Sequence, residues 1–200
     1  MPTPVGHALA GLATAWVADA LAPLPRRPTA DAGVKRTFAA LGGGLALACV
    51  VLAASPDLDI LTGTHRAASH SLGAALVVCL GAALVARRWQ LPVLRTAVTC
   101  GAAYATHVLL DWLGMDSAPP YGIVALWPAS SAYYTSGVDL FLEISRRYWK
   151  ADEFIVGNLE SLAWELLILG PIAAAAWWLR ARTRRRGQGT RGVTAPRTIA

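Results

Sequence analysis

Five blocks of apolar residues, nearly free of charge, are separated along the chain by polar connections. They run roughly from Val5 to Leu21, Phe38 to Ala54, Ser69 to Ala86, Val93 to Leu113 and Leu159 to Leu179. A helix of about 20 residues crosses the hydrocarbon core of a bilayer, and shorter ones serve where protein surrounds them, so each block predicts a transmembrane helix. The first block ends in Ala18-Asp19-Ala20, which imitates a signal-peptide cleavage site. No positive charge precedes its apolar run, so it reads as a retained helix.

The connections are a Pro/Arg-rich loop (Pro23 to Thr37), a short loop with SPDLDILTGTHR (Ser55 to Arg66), a tight turn at Arg87 and Arg88, and a long segment from Gly114 to Asn158. Inside the long segment, Val138, Phe141, Leu142, Ser145, Tyr148 and Trp149 fall at helical spacing with charges between them. That pattern predicts an interfacial helix over Gly137 to Lys150, placed to act as a lid. The expected fold is an all-α integral membrane protein of about five transmembrane helices, with one long extracytoplasmic loop carrying this interfacial helix. Residues 1–180 form a single membrane-embedded helical domain, and 181–200 a disordered basic cytoplasmic tail.

Composition supports a membrane protein: 55% of residues are hydrophobic and 15% charged, with a mean hydropathy of +0.44, far from the soluble balance. Charge also fixes an orientation. Seven of the 18 basic residues, all arginine, lie between Arg180 and Arg197, where there is no acidic residue. Beside an apolar block such a tail reads as a cytoplasmic anchor or a contact to anionic lipid, and nucleic acid is not expected. The first loop adds Arg26, Arg27, Lys35 and Arg36, and the third Arg87 and Arg88 with Arg95 nearby; the second has only Arg66, and the fourth three basic residues against five acidic ones. Short Lys/Arg-rich loops stay in the cytoplasm, which puts the N-terminus outside and the C-terminus inside. Cys49, Cys79 and Cys100 lie in apolar blocks without metal or redox spacing and imply no disulfide framework.

The four histidines then fall on one side of the membrane. His7 is at the outer end of the first span, His65 in the outer second loop, and His70 at the outer start of the third span. His107 lies in the outward half of the fourth span with Asp111 one turn further out, and Asp57 and Asp59 belong to the outer loop. Ionisable groups at membrane depth are costly unless paired or coordinated, so they are functional candidates by default. His107 and Asp111, four residues apart, share a helix face and can bind one ion together. Imidazoles and carboxylates around an open position are ligands for zinc, manganese or iron chemistry, for which activated water is the natural reagent.

Each residue also has a plainer reading. His7 alone suits a hydrogen-bonded interfacial histidine. Asp57 and Asp59 after Pro56 suit a turn and a helix cap, and His70 between Ser69 and Ser71 suits a capping neighbour. His107 with Asp111 suits a structural intramembrane hydrogen bond. Arg66 can hold an anionic substrate group through its planar fork or anchor to lipid headgroups. Glu160 and Glu165 suit a helix start, with a place in the site open to one of them. Asp139 suits the start of the lid helix, and Asp19 the loop arginines.

Through Gly6-His7 with Gly11, PDLD at Pro56 to Asp59, HRAASHS at His65 to Ser71, HVLLD at His107 to Asp111 and Leu126-Trp127-Pro128, the chain resembles the membrane-bound metal-dependent hydrolase family of the YdjM type. The resemblance covers most of the chain from His7 to about Pro128, more loosely through the last span. It implies a multi-pass helical protein of the bacterial cytoplasmic (inner) membrane and a divalent-metal hydrolase, itself distantly similar to zinc-dependent phospholipase C and P1 nuclease-like enzymes. Carried onto this chain, it implies His7, Asp57 or Asp59, His70, His107 and Asp111 as metal ligands.

The expectation is therefore a metal-dependent hydrolase holding one or two divalent ions, zinc first, with manganese or magnesium as alternatives. Its metal residues are His7, Asp57, Asp59, His70, His107 and Asp111, more than one tetrahedral zinc uses, so some hold the others in place or a second ion is bound. A site open to the outer leaflet suggests a phosphoester of a lipid or lipid-linked substrate, with Arg66 and His65 steadying the phosphate. The rival is a non-catalytic protein, either a metal-stabilised scaffold or a metal-ion carrier. The apolar inner halves of the spans count against carriage.

Overall fold

The computed structural model describes residues 2–23, 42–62, 66–145 and 149–192. Among these residues the chain forms five α-helices and no β-strand: α1 (Pro4–Leu21), α2 (Gly43–Ala54), α3 (Leu72–Arg88), α4 (Val93–Trp112) and α5 (Ala151–Gly192). Short 3-10 segments at Ser55–Thr62 and Ala68–His70 join α2 to α3. Among the described residues three stretches are long and apolar enough to cross a membrane: Gly43–Leu61, Val93–Trp112 and Phe154–Arg186. α1 carries His7 and Asp19 within its 18 residues, and α3 has 17.

Local sequence explains the helix starts. Thr3 caps α1 by accepting from the Gly6 N–H at 3.2 Å, with Pro4 in the first turn, where its missing N–H costs nothing. Ser71 caps α3 in the same way, accepting from Ala74 at 3.0 Å. The third block was expected to turn helical at Ser69; Ser71 instead sets the start at Leu72, which leaves Ser69 and His70 in a turn facing the bundle.

α1 packs on α2, α4 and α5, while α3 packs on α4. The shared surfaces are built from small residues, with Ala13, Trp16, Ala173 and Ala176 between α1 and α5, and Ala15, Ala46, Cys49 and Ala103 among α1, α2 and α4. A hydrophobic effect between helices is weak in lipid, so close van der Waals approach must hold them, and small side chains permit it. Gly11 shows the limit, because a Cβ there would run into the Cys49 carbonyl and the Ala53 methyl. Large apolar side chains point outward instead, with Leu94 78%, Leu84 67% and Leu167 65% exposed, as a lipid-facing surface requires.

The helices alternate in direction. The start of α1, the end of α2, the start of α3, the end of α4 and the first half of α5 meet at one end of the bundle, where His7, Asp57, His70, Asp111 and Glu165 lie. Asp19, Arg95 and Arg180 meet at the other.

The long connection departs from expectation. No helix forms over the described residues of Gly137 to Lys150; residues 137–145 are irregular, with a single bridge from Phe141 to Gly114, and helix begins at Ala151. The segment is stitched to the end of α4 by Ser136 N–H to Trp112 O (3.1 Å), Leu140 N–H to Leu113 O (2.8 Å) and Met115 N–H to Phe141 O (2.8 Å). Phe141 is buried with Leu110 and Leu169. Gly137 and Asp139 both take positive φ, 68° and 51°, which a right-handed helix excludes. Tertiary burial of Phe141 and this backbone pairing override the helical spacing of the sequence. α5 is correspondingly longer than the Leu159 to Leu179 block, and its backbone stays helical through the arginine-rich stretch to Gly192.

Candidate metal centre

Six ionisable side chains gather at the His7 end of the bundle from four separate segments. His7 comes from the first turn of α1, Asp57 and Asp59 from the 3-10 segment after α2, His70 from the turn before α3, and His107 and Asp111 from the last turns of α4. Asp111 sits at their centre. Its Oδ1 is 3.4 Å from His7 Nε2, and its Oδ2 is 3.3 Å from His70 Nε2 and 3.1 Å from His107 Nε2. Asp57 approaches the same three rings, 3.6 Å from His70 Nε2, 3.7 Å from His107 Nε2 and 4.0 Å from His7 Nε2. Ligand atoms of Asp57, His70, His107 and Asp111 all lie within 4.8 Å of one another.

The backs of two rings are held by hydrogen bonds. His107 Nδ1 lies 2.7 Å from the Ala53 carbonyl, which only accepts, so Nδ1 carries the proton and the Nε2 lone pair points at the cluster. His70 Nδ1 lies 3.1 Å from Asp59 Oδ2, and Ser69 Oγ donates to that same oxygen at 2.5 Å. Asp59 therefore stands behind His70 rather than beside Asp111. A carboxylate or carbonyl on the far nitrogen of a ligating histidine fixes its tautomer and raises its basicity. The His7 ring stacks on His107 with centroids 3.8 Å apart.

All three histidines are fully buried. The Asp111 side chain is fully buried as well, whereas the Asp57 side chain is 25% exposed, so the cluster meets the surface beside Asp57. Both ring nitrogens of His7, Nε2 of His107 and both carboxylate oxygens of Asp111 make no hydrogen bond. His107 Nε2 and Asp111 Oδ2 are close enough for one but are not aligned for it. Buried polar atoms are almost always paired, and acceptors that converge on a shared point without bonding each other fit a cation between them. The neutral-imidazole and carboxylate donor set suits a divalent ion, and these residues can hold one.

Other residues singled out in the sequence lie elsewhere. Arg66 is buried and turned toward the long loop, where its guanidinium donates to Asp116 at 2.6 Å and to the carbonyls of Ala118 and Pro120 at 3.2 and 3.3 Å. His65 lies outside the described residues. Glu165 is fully buried and caps α1, not its own helix: the N–H and hydroxyl of Thr3 each donate to its carboxylate at 2.6 Å. Trp127 in the Leu126-Trp127-Pro128 element packs its carbonyl against Gly73, where a Cβ would collide with it.

Three contributors escaped the sequence reading. Ser69 bridges Asp59 and His70, Tyr104 holds the Ser69 carbonyl through its hydroxyl at 2.7 Å, and Asp116 receives Arg66. Tyr104 stands one turn before His107 on α4, so a buried phenol needing a partner was the available signal. Nothing local to Asp116 announces a partner 50 residues away.

These features describe a helical membrane protein with a buried histidine and aspartate cluster at one end of its bundle. The chain matches the YdjM inner membrane protein family over residues 1–186 and belongs to it. No curated protein and no solved structure matches the chain.

Proposed function

We propose that this protein is a membrane-bound metal-dependent hydrolase acting on a phosphoester of a lipid or lipid-linked substrate at the outer face of the inner membrane. The observation that carries the reading is the convergence of His7, His70, His107 and Asp57 around Asp111, with both ring nitrogens of His7, Nε2 of His107 and both Asp111 oxygens left without a hydrogen bond. The set is compact enough for a single ion, zinc by its imidazole content, with manganese or magnesium as alternatives. A divalent cation held there supplies Lewis acidity toward a phosphoryl oxygen and toward water.

The chain's own residues divide the remaining work in this reading. Asp57, the partly exposed member, lies where a substrate would enter. Asp59 and Ser69 orient His70, the Ala53 carbonyl orients His107, and His65 is assigned to the substrate phosphate. Arg66 holds Asp116 and with it the loop beside the site. All five helices cross the membrane in this account, with the arginine-rich end in the cytoplasm by the positive-inside rule and the metal site outward. The opposite end counts against a cation carrier, because Arg95, Arg180 and Arg184 surround Asp19 there and would repel a cation.

The test is turnover by detergent-purified full-length protein of phospholipid, lipid-linked and chromogenic phosphoesters. Activity lost to a chelator, restored by zinc or manganese, and lost in a folded Asp57→Ala variant supports the hydrolase. Metal-loaded protein that turns over none of these substrates, yet is destabilised by chelation, makes the site a metal-stabilised scaffold.

A further inference from the structure

The histidine cluster lies below the ends of the spans that carry it. α2 has 12 residues and reaches only about 18 Å, well short of a hydrocarbon core of about 30 Å. Ser55 keeps helical φ and ψ, −68° and −29°, so the 3-10 segment continues from α2. With that segment's rise of about 2.0 Å per residue, the 19-residue stretch Gly43–Leu61 reaches about 32 Å. The second block therefore crosses a bilayer only with Asp57 and Asp59 inside it. Asp57 is then about 8 Å short of the end of the span at Leu61. α4 gives the same depth independently, because His107 stands five residues before the end of a 20-residue helix at Trp112, again about 8 Å short of it.

The chain around the opening of the cluster is apolar. Asp57 is the most exposed of the clustered side chains, and beside it on the 3-10 segment Leu58, Ile60 and Leu61 are 63%, 51% and 82% exposed. Residues three apart eclipse in a 3-10 helix, so Ile60 stands over Asp57 and Leu61 over Leu58. The polar groups of the segment turn inward: Asp59 receives the Ser69 hydroxyl, and the Ser55 hydroxyl donates to the Leu52 carbonyl at 2.9 Å. Three large aliphatic side chains side by side would be costly against water and cost nothing against acyl chains. A dissolved molecule would have to cross that apolar edge to reach Asp57.

We infer that the cluster opens sideways into the leaflet on the histidine side, past a lip formed by Leu58, Ile60 and Leu61, and that a lipid of that leaflet occupies the opening. Its acyl chain lies against the lip, and its polar group meets Asp57 with His7, His70 and His107 behind. A polar group drawn to this depth loses its water, and the ionisable side chains gathered there replace it. The substrate is then a lipid taken from within the membrane and not a water-soluble phosphoester. That substrate class rests on the hydrolase reading, whereas the sideways opening does not.

The test photolabels the wild-type full chain in vesicles of phosphatidylethanolamine and phosphatidylglycerol, with adducts located by peptide mass spectrometry. One probe is a phosphatidylcholine with a diazirine on its acyl chain, and the other is a water-soluble diazirine sugar. Leu167, exposed within the span of α5, is the lipid-facing reference, and residues 131–133, exposed in the long connection, are the reference for the sugar. The lipid probe should mark Asp57, Leu58 and Ile60 as heavily as it marks Leu167. The sugar should mark them at least about tenfold less than residues 131–133, because its hydroxyls find no partners in hydrocarbon. The inference is overturned if the sugar marks Asp57 and the lip as heavily as residues 131–133, or if the lipid probe marks Leu167 and leaves them unmarked. Labelling needs neither metal nor turnover, so the expected pattern on a metal-free or inactive protein would sink the hydrolase reading alone.

Discussion

His107 on α4 donates its Nδ1–H to the carbonyl of Ala53 in the last turn of α2 at 2.7 Å. That bond spans two helices and turns Nε2 toward Asp111 on its own helix, 3.1 Å away. Helix packing and ligand orientation are thus the same contact. Asp59 does for His70 what Ala53 does for His107, from a side chain that can be changed. Asp59→Ala should lower metal affinity about 10–100-fold, the usual cost of losing such a partner, whereas Asp111→Ala should abolish binding. Chelator competition on the two purified variants measures this. Asp59→Ala binding as tightly as the wild type would remove the positioning role.

Gly11 sets how closely α1 approaches α2, since a Cβ there meets Cys49 O and the Ala53 side chain. Gly11→Val should cost about 1–3 kcal/mol through overpacking and, by moving α1, should draw His7 away from Asp111. Reduced thermal stability together with weakened metal binding is the expected pair of results. Unchanged stability would mean that α1 does not sit this close.

Glu165 bonds Thr3 at the start of α1. In Glu165→Gln the Thr3 N–H or hydroxyl faces an amide donor instead of a carboxylate oxygen. The cost should be about 1–3 kcal/mol, with metal content retained. Metal loss in a folded Glu165→Gln protein would place this residue in the site.

Arg66 and Asp116 pair with side chains only 10% and 6% exposed. Removing either partner leaves a buried charge, so Arg66→Ala or Asp116→Ala should each cost about 3–5 kcal/mol. The double variant should cost less than the sum. Additive losses in the cycle would show that the two residues do not depend on each other.

Much of this arrangement was legible in the sequence because membrane chemistry makes polar residues scarce. With four histidines in the whole chain, orientation by Lys and Arg was enough to group His7, His70, His107, Asp57, Asp59 and Asp111 on one side. Sequence could not assign Asp59 to the back of His70, since Asp57 and Asp59 share a motif and differ only in the direction a 3-10 segment gives them. The segment from Gly137 to Lys150 misled for a related reason. Helical spacing of apolar residues says which side chains want burial, but Phe141 finds its burial through a backbone pairing with Leu113 and Met115. Glu165 and Arg66 were read from their own neighbourhoods, and their partners Thr3 and Asp116 lie 162 and 50 residues away.

Metal content separates a metal centre from a purely polar cluster. Full-length protein, purified in detergent without chelator, is measured by elemental analysis beside His107→Ala and Asp111→Ala. A stoichiometric divalent ion is expected in the wild type and its loss in both variants, with folded yield kept in at least one. Wild-type protein that holds no metal, even after zinc and manganese are added back, would contradict this expectation and leave the histidines and aspartates as a buried proton-sharing network.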